Sequence, residues 1–118
     1  VAIVLHINHA NEIDSHVRDA LGALRATGAT LLNQSVLLRG VNDSADTLAE
    51  LSEALFAAGV LPYYLHLLDP VAGAAHFDVP EAEARTLVNA VHARLSGYLV
   101  PKLVREIPDR AGKSLINL

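Results

Sequence analysis

Short apolar runs alternate along this sequence with segments whose apolar residues recur at helical spacing. The runs at positions 2–7, 30–38, 61–67 and 99–106 are typical of buried strands, and the three segments between them are typical of amphipathic helices. Strands that alternate with helices form right-handed crossovers, which make the strands parallel. The sequence therefore predicts an α/β fold with a parallel sheet, and a period of roughly 30 residues suits either a barrel or a doubly wound sheet.

Capping residues mark where the three predicted helices begin and end. Asp14 or Ser15 is placed to cap the first helix, and Ser44 begins the second. Pro80 suits the first turn of the third helix, because the N–H that proline lacks has no helical partner there. Glycine readily adopts the conformation that follows a helix. The glycines at the three predicted helix ends are Gly28, Gly59 and Gly97.

Composition excludes several classes of protein. The chain has 118 residues, of which 52% are hydrophobic, so it can build one domain with a substantial core. Its net charge is −4 and it has no basic stripe, which argues against nucleic-acid binding. No apolar run approaches the ~18 residues of a membrane span. Because Cys is absent, disulfides, thiolate chemistry and iron–sulfur ligation cannot come from this chain.

The chain also lacks Met, and its first residues already have the pattern of a buried strand. We therefore expect it to be a fragment whose N-terminal part is missing. An incomplete sheet leaves strand edges and apolar helix surface exposed. The fragment alone is accordingly expected to self-associate or to be poorly soluble.

Polar side chains occur at the ends of the predicted strands, where parallel α/β folds place their chemistry. Each has a structural alternative: a core histidine bonded to the backbone, a turn former or a solvated charge. Asn42 and Asp43, which follow the second strand, are interpreted as a helix cap. A polar residue at nearly every strand end nevertheless favours a functional site there. Besides Asn42 and Asp43, these residues are His6, His9, Gln34, Arg39, His66, Asp69, Arg105 and Glu106, with Lys113 following the last strand.

Two kinds of chemistry fit these strand ends. Asp69 and Glu106 could together bind an ammonium group through charge-assisted contacts. Alternatively, the three histidines of the strand ends, with His76 and Asp69, could hold the metal of a hydrolase built on a (β/α) barrel. Spacing alone leaves both hypotheses open.

Four longer motifs cover nearly the whole chain. They are LHINHANEI (5–13), LNQSVLLRGVND (32–43), PYYLHLLDPVAGAAHF (62–77) and SGYLVPKLVRE (96–106). In this order they resemble the lysine 2,3-aminomutase family of radical S-adenosylmethionine enzymes. They are most similar to the short branch that β-lysylates elongation factor P, and the catabolic branch that acts on free lysine is the alternative.

The resemblance implies a fold, a reaction and cofactors. Residues 1–118 would form the C-terminal half of a partial (β/α) TIM-like barrel, with a tail at 107–118. The family moves the amino group of L-lysine from C2 to C3, with a [4Fe–4S] cluster, S-adenosylmethionine and pyridoxal phosphate. The family binds the cluster in a Cys-x3-Cys-x2-Cys loop, which would lie outside this Cys-free chain. The fragment alone is thus expected to be inactive, and the whole protein to be a cytoplasmic homo-oligomer that serves the elongation factor P pathway indirectly.

The resemblance also implies roles for single residues. Lys113 follows Glu106 by seven residues, the family's spacing between an acid and the lysine that forms a Schiff base with pyridoxal phosphate. Asp69 and Glu106 match residues that contact the distal ammonium of the substrate, although lysine-specific members have Asp at the second position. His6 and Gln34 match residues near S-adenosylmethionine.

Overall fold

The predicted alternation of strands and helices is confirmed by the computed structural model, which describes residues 1–68, 77–106 and 113–116. The elements are β1 (Ala2–Leu5), α1 (Ser15–Ala26), β2 (Thr30–Leu37), α2 (Ala45–Ala57), β3 (Val60–Leu67), α3 (Glu81–His92), β4 (Lys102–Glu106) and β5 (Lys113–Leu115). Short 3-10 turns lie at Ala10–Glu12 and Gly97–Leu99.

The strands form one sheet in the order β1-β2-β3-β4-β5. The first four are parallel, and β5 is antiparallel to β4. Because each parallel strand lies beside the one before it in the chain, every crossover runs in the same direction across the sheet. Right-handed crossovers then place α1, α2 and α3 on the same face. This winding confirms the α/β class with a parallel sheet.

The hydrophobic core lies between the sheet and the helices. Along β2, alternate residues are buried, as expected for a strand with one face against helices. One cluster joins β3 and β4 to α2 and α3, and a second joins β2 and β3 to α1 and α2. The most completely buried large side chains of these clusters are Leu37, Leu65, Leu103, Val88, Val91, Leu31, Leu55 and Val60. One face of the sheet is therefore covered by the core, while no helix of the described residues covers the other.

Two of the predicted helix caps are confirmed by hydrogen bonds. Asp14 Oδ1 accepts from Val17 N at 2.8 Å, and Ser44 Oγ accepts from Thr47 N at 3.1 Å. Pro80 lies one residue before α3, at its N-cap position. Within the described ranges, no helix is long and apolar enough to cross a membrane.

The boundaries of several elements differ from the sequence-based expectation. β1 ends at Leu5 rather than at residue 7, because side chains replace the strand ladder beyond it, as described below. α3 ends at His92, and Gly97 opens a 3-10 turn instead of ending the helix. That turn delays β4, which begins at Lys102 rather than at residue 99. β5 lies within the tail expected at 107–118, where the sequence predicts no strand, since three residues are too few for a periodic pattern.

Two glycines give opposite predictions for stability. Gly59, which follows α2, has φ of +81°, and a Cβ there would lie 2.2 Å from Arg25 Nε. Gly22 lies inside α1 with open space around it. We expect Gly59→Ala to lower the free energy of unfolding by about 1–2 kcal/mol, because alanine is strained at positive φ. Gly22→Ala should raise it by about 0.5–1 kcal/mol through helix propensity. Urea unfolding checks both, and an unchanged Gly59→Ala variant would contradict the argument.

Candidate active site

The sheet face that no described helix covers carries polar and aromatic side chains, which we call the open-face cluster: Gln34, Tyr63, Tyr64, His66 and Lys102. The backbone register places Gln34 beside Tyr64, and Tyr64 beside Lys102, in one row across β2, β3 and β4. The residue that follows each of these three in the chain is buried beneath the helices. Since successive strand residues point to opposite faces, the row itself faces away from the core.

A hydrogen bond joins the two central strands within this cluster. His66 Nε2 lies 3.0 Å from Gln34 Oε1, and both side chains are half-buried. Because an amide oxygen only accepts, His66 Nε2 carries the hydrogen in this arrangement. The Tyr64 ring meets the His66 ring edge-on, with centroids 5.9 Å apart. Gln34 is thus held in one orientation by a histidine that an aromatic ring supports.

A β-bulge brings two tyrosines together. In the register, Asn33 is beside Pro62 and Gln34 is beside Tyr64, so Tyr63 is the extra residue of β3. Pro62 has no N–H for the ladder, and prolines inside sheets occur at such bulges. The rings of Tyr63 and Tyr64 lie 4.3 Å apart, although residues adjacent in a regular strand point to opposite faces. Lys102 Nζ lies 5.4 Å from the centroid of the Tyr63 ring, within range of a cation–π interaction.

The side-chain hydrogen bond with Tyr63 raises the pKa of the Tyr64 phenol above its ordinary value, and desolvation acts in the same direction. Tyr64 is therefore a neutral phenol throughout the physiological pH range. It can take part in hydrogen bonds at the open face without adding a negative charge beside Lys102.

Beyond β1, side-chain amides replace the backbone ladder between β1 and β2. Asn33, which is buried, accepts from Ile7 N at 2.8 Å and donates to Ile7 O at 2.9 Å. Ser35 Oγ donates to the same carbonyl at 2.9 Å. The backbone of Ile7 is thus satisfied by side chains rather than by β2 itself, so the two strands diverge here without leaving a polar group unpaired.

Asn42, in the loop that follows β2, extends this amide network. Its Oδ1 accepts from Leu38 N at 2.8 Å, and its Nδ2 donates to Asn8 O and Val36 O at 2.9 Å each. Asn8 Oδ1 in turn accepts from Val36 N at 2.9 Å. The interpretation of Asn42 and Asp43 as a helix cap is therefore wrong: Ser44 is the cap, and Asn42 is a buried tie between two loops.

His9 has a structural role at the edge of this network. Its Nδ1 accepts from Asn11 N at 3.0 Å, while Glu12 Oε2 accepts from the His9 backbone N–H at 2.9 Å. This reciprocal pair is a capping box for the short 3-10 turn. In the part of the chain that the structure describes, no group of three or more His, Asp or Glu residues could hold a metal ion. Nothing there favours the metal-dependent hydrolase.

The structure places the predicted site residues in different ways. His6 is exposed, just beyond β1, and Gln34 lies in the open-face cluster. Asp69 lies outside the described residues. The antiparallel register sets strand position Glu106 directly beside Lys113, so β4 and β5 bring two of the predicted residues together at one end of the sheet. His76, which the metal hypothesis used, is also outside the described residues.

Comparison with known proteins identifies relatives over the whole chain. The L-lysine 2,3-aminomutase of Escherichia coli strain K12 is 58% identical over 118 residues, which is 100% of this chain and 34% of that protein. The Haemophilus influenzae L-lysine 2,3-aminomutase is 54% identical over 113 residues, or 96% of this chain and 33% of the relative. The chain is homologous to the lysine 2,3-aminomutases. The resemblance seen in the motifs is thereby confirmed.

The matches cover nearly all of this chain but only part of each relative. The chain spans about a third of the length of these curated relatives, and it matches the C-terminal part of the longer protein. The L-lysine 2,3-aminomutase of Clostridium subterminale is 38% identical over 109 residues, which is 92% of this chain and 26% of that protein. No protein-family profile matches the chain.

Sequence reasoning missed several members of the site. Tyr63, Tyr64 and Lys102 carry no signal as single residues, because aromatic side chains are typical of strands and a single lysine is usually a solvated charge. The proline before the tyrosine pair is a usable signal, since proline within a strand indicates a bulge. The tie made by Asn33 and Asn42 could be suspected only from amides within and after an apolar strand, where the unpaired alternative is costly.

The amide network gives a prediction for stability. Asn33→Ala would leave the buried N–H of Ile7 without an acceptor and the Ile7 carbonyl with Ser35 Oγ as its donor, so we expect the free energy of unfolding to fall by about 2–4 kcal/mol. Asn89→Ala, at an exposed position of α3, is the matched control. Because alanine has the higher helix propensity, this variant should raise the free energy of unfolding by less than about 0.7 kcal/mol. Urea unfolding measures both, and equally small effects at the two positions would refute the role of the network.

Proposed function

We propose that the protein containing this chain is an L-lysine 2,3-aminomutase, an isomerase that moves the amino group of L-lysine from C2 to C3 to give β-lysine. The observation that carries the proposal is 58% identity, over the full chain, to the Escherichia coli protein of that name. We propose a [4Fe–4S] cluster, S-adenosylmethionine and pyridoxal phosphate as its cofactors.

The register of β4 and β5 supports the proposed placement of pyridoxal phosphate and substrate. Lys113 would hold the cofactor, and Glu106, at the adjacent strand position, would bind the distal ammonium of lysine together with Asp69. When bound, pyridoxal phosphate would supply a conjugated π-system that stabilises an unpaired electron beside the migrating nitrogen. A carboxylate and a cofactor-bearing lysine on paired strand positions would fix the distance between the two ends of the substrate.

Gln34 and His6 are proposed to contact S-adenosylmethionine. The hydrogen bond from His66 turns the oxygen of the Gln34 amide toward the histidine. The amide nitrogen is then the end of Gln34 that can donate to a ligand on the open face. His6 is exposed just beyond β1, on a loop that the amide network holds through Ile7 and Asn8. Both residues would orient the ligand rather than react with it.

The sheet is proposed to be part of a partial (β/α) barrel. Its support is the winding: crossovers in one direction put every described helix on one face and leave the other face to line an interior. The chain has no Cys, so it offers no thiolate to an iron–sulfur cluster, and the ligands would come from elsewhere in the longer protein. Lysine turnover by this chain alone would contradict that assignment.

Modification of elongation factor P is our proposal for the biological role, and catabolism of free lysine is the alternative. The support is the motif at 62–77, whose wording from Leu65 to Phe77 is typical of that branch. Glu106 occupies a position where lysine-specific members of the family have the shorter Asp. An extra methylene would move the carboxylate and so alter how the distal ammonium is bound. A cytoplasmic location and a homo-oligomeric state stay predictions of the resemblance.

The role of Lys113 can be tested by borohydride reduction of the complete protein with bound pyridoxal phosphate. We expect peptide mapping to find the label on Lys113, and Lys113→Ala to lose it. Lys102→Ala is the matched control, because Lys102 is paired with the Tyr63 ring at mid-sheet and should leave labelling intact. A label that follows Lys102 instead would refute the assignment.

A further inference from the structure

We propose that Arg105 is a positioning residue for this site: its ion pair with Glu81 fixes the ends of β4 and β5 against the start of α3. Those strand ends carry Glu106 and Lys113. The inference rests on the proposed function, because it assumes that these two residues bind substrate and cofactor.

The ion pair has a geometry suited to holding a strand end. Arg105 Nη2 lies 2.5 Å from Glu81 Oε1, and Arg85 Nη2 lies 2.5 Å from Glu81 Oε2. Each carboxylate oxygen therefore has one guanidinium partner, and charge-assisted contacts of this kind are short and directional. Glu81 is the first residue of α3, where the helix dipole favours a negative charge.

Arg105 is well placed to act on its neighbours. It is two residues beyond the buried Leu103, and residues two apart share a face, so Arg105 is on the helix side of β4. In the register it lies beside Ser114, and the next pair along is Glu106 with Lys113. A side chain that ties position 105 to α3 thus constrains the strand pair one residue from both proposed site residues.

The start of α3 is itself fixed from another direction, so it can serve as an anchor. Arg39, which follows β2, donates from Nε to Asp78 O at 3.0 Å and contacts Glu83 Oε2 at 3.4 Å through Nη2. Its backbone N–H also donates to Phe77 O at 2.9 Å. Arg39 therefore holds the turn that leads into α3 to the end of β2, while Glu81, at the start of α3, binds Arg105 of β4.

The ion pair should act locally rather than on global stability. The side chains of Arg105 and Glu81 are 49% and 31% exposed, and ion pairs that contact solvent contribute little to the free energy of unfolding. Loss of the pair should instead loosen the strand ends, which changes how often the site residues are in place. Arg85 offers a matched control, because it binds the same carboxylate from four residues along α3 and does not link α3 to β4.

Hydrogen–deuterium exchange of the complete protein tests the structural part without relying on activity. We expect Arg105→Gln and Glu81→Gln to increase exchange in peptides covering 102–106 and 113–116, and Arg85→Gln to leave it unchanged. The amide of Ile116, which donates to Leu103 O at 3.0 Å, reports directly on the pairing of this end of the sheet. Unchanged exchange in both pair variants would overturn the proposal.

Kinetics with L-lysine test the functional part. Arg105→Gln and Glu81→Gln should each raise KM about three- to tenfold with kcat changed less than about twofold, because the substrate-binding position is less often formed. The double variant should be no worse than either single variant, and Arg105→Lys should recover most of the loss. An effect of Arg105→Gln that Glu81→Gln does not reproduce would overturn the positioning role in favour of direct substrate contact.

The experiments distinguish failure of the proposed function from failure of the positioning role of Arg105. If Glu106→Gln raises KM while both ion-pair variants leave KM and exchange unchanged, the proposed function is supported and the positioning role is refuted. If the unmodified protein with its cofactors does not turn over lysine, the proposed function is refuted. The role of Arg105 in catalysis then falls with it.

Discussion

The exchange of backbone for side-chain hydrogen bonds at the end of β1 determines the shape of one edge of the molecule. Two parallel strands can separate only if the peptide groups they abandon find other partners, because an unpaired buried peptide group is costly. Asn33 supplies a donor and an acceptor to Ile7, and Asn42 accepts from Leu38 N while it donates to Asn8 O in the loop after β1. The loop that carries His6 therefore leaves the sheet at a defined place rather than continuing as strand.

The irregularity in β3 has a comparable consequence at the centre of the sheet. Because Pro62 removes a ladder donor, the strand accommodates an extra residue, and Tyr63 joins Tyr64 near Lys102. Without the bulge, one of the tyrosines would point into the aliphatic core, where its hydroxyl would need a buried partner. The bulge therefore adds a second tyrosine to the open face.

Those two irregularities explain how far the sequence could predict the fold. Alternation and caps such as Asp14 and Ser44 are local signals, so the order of elements and the helix starts followed from them. Asn42 has the local signature of a cap, yet it also donates to Asn8 O, which only the tertiary structure brings near. β5 is three residues long and exists because β4 offers it an edge. The candidate site was predictable by resemblance alone, since Glu106 and Lys113 become neighbours only through that pairing.

In this chain, the interactions that stabilise the fold differ from those that position the strand ends. The buried amides hold peptide groups that water cannot reach, so their loss should be felt by the whole fold. The arginine ion pairs lie at the surface, where water competes for both charges, and they are worth little to the folded state as a whole. Each of these surface pairs nevertheless joins a strand end to the start of α3, which is where a parallel α/β fold places its chemistry. A weak ion pair at that location can therefore affect function more than stability. It need only shift the populations of strand-end conformations that are all compatible with the same core.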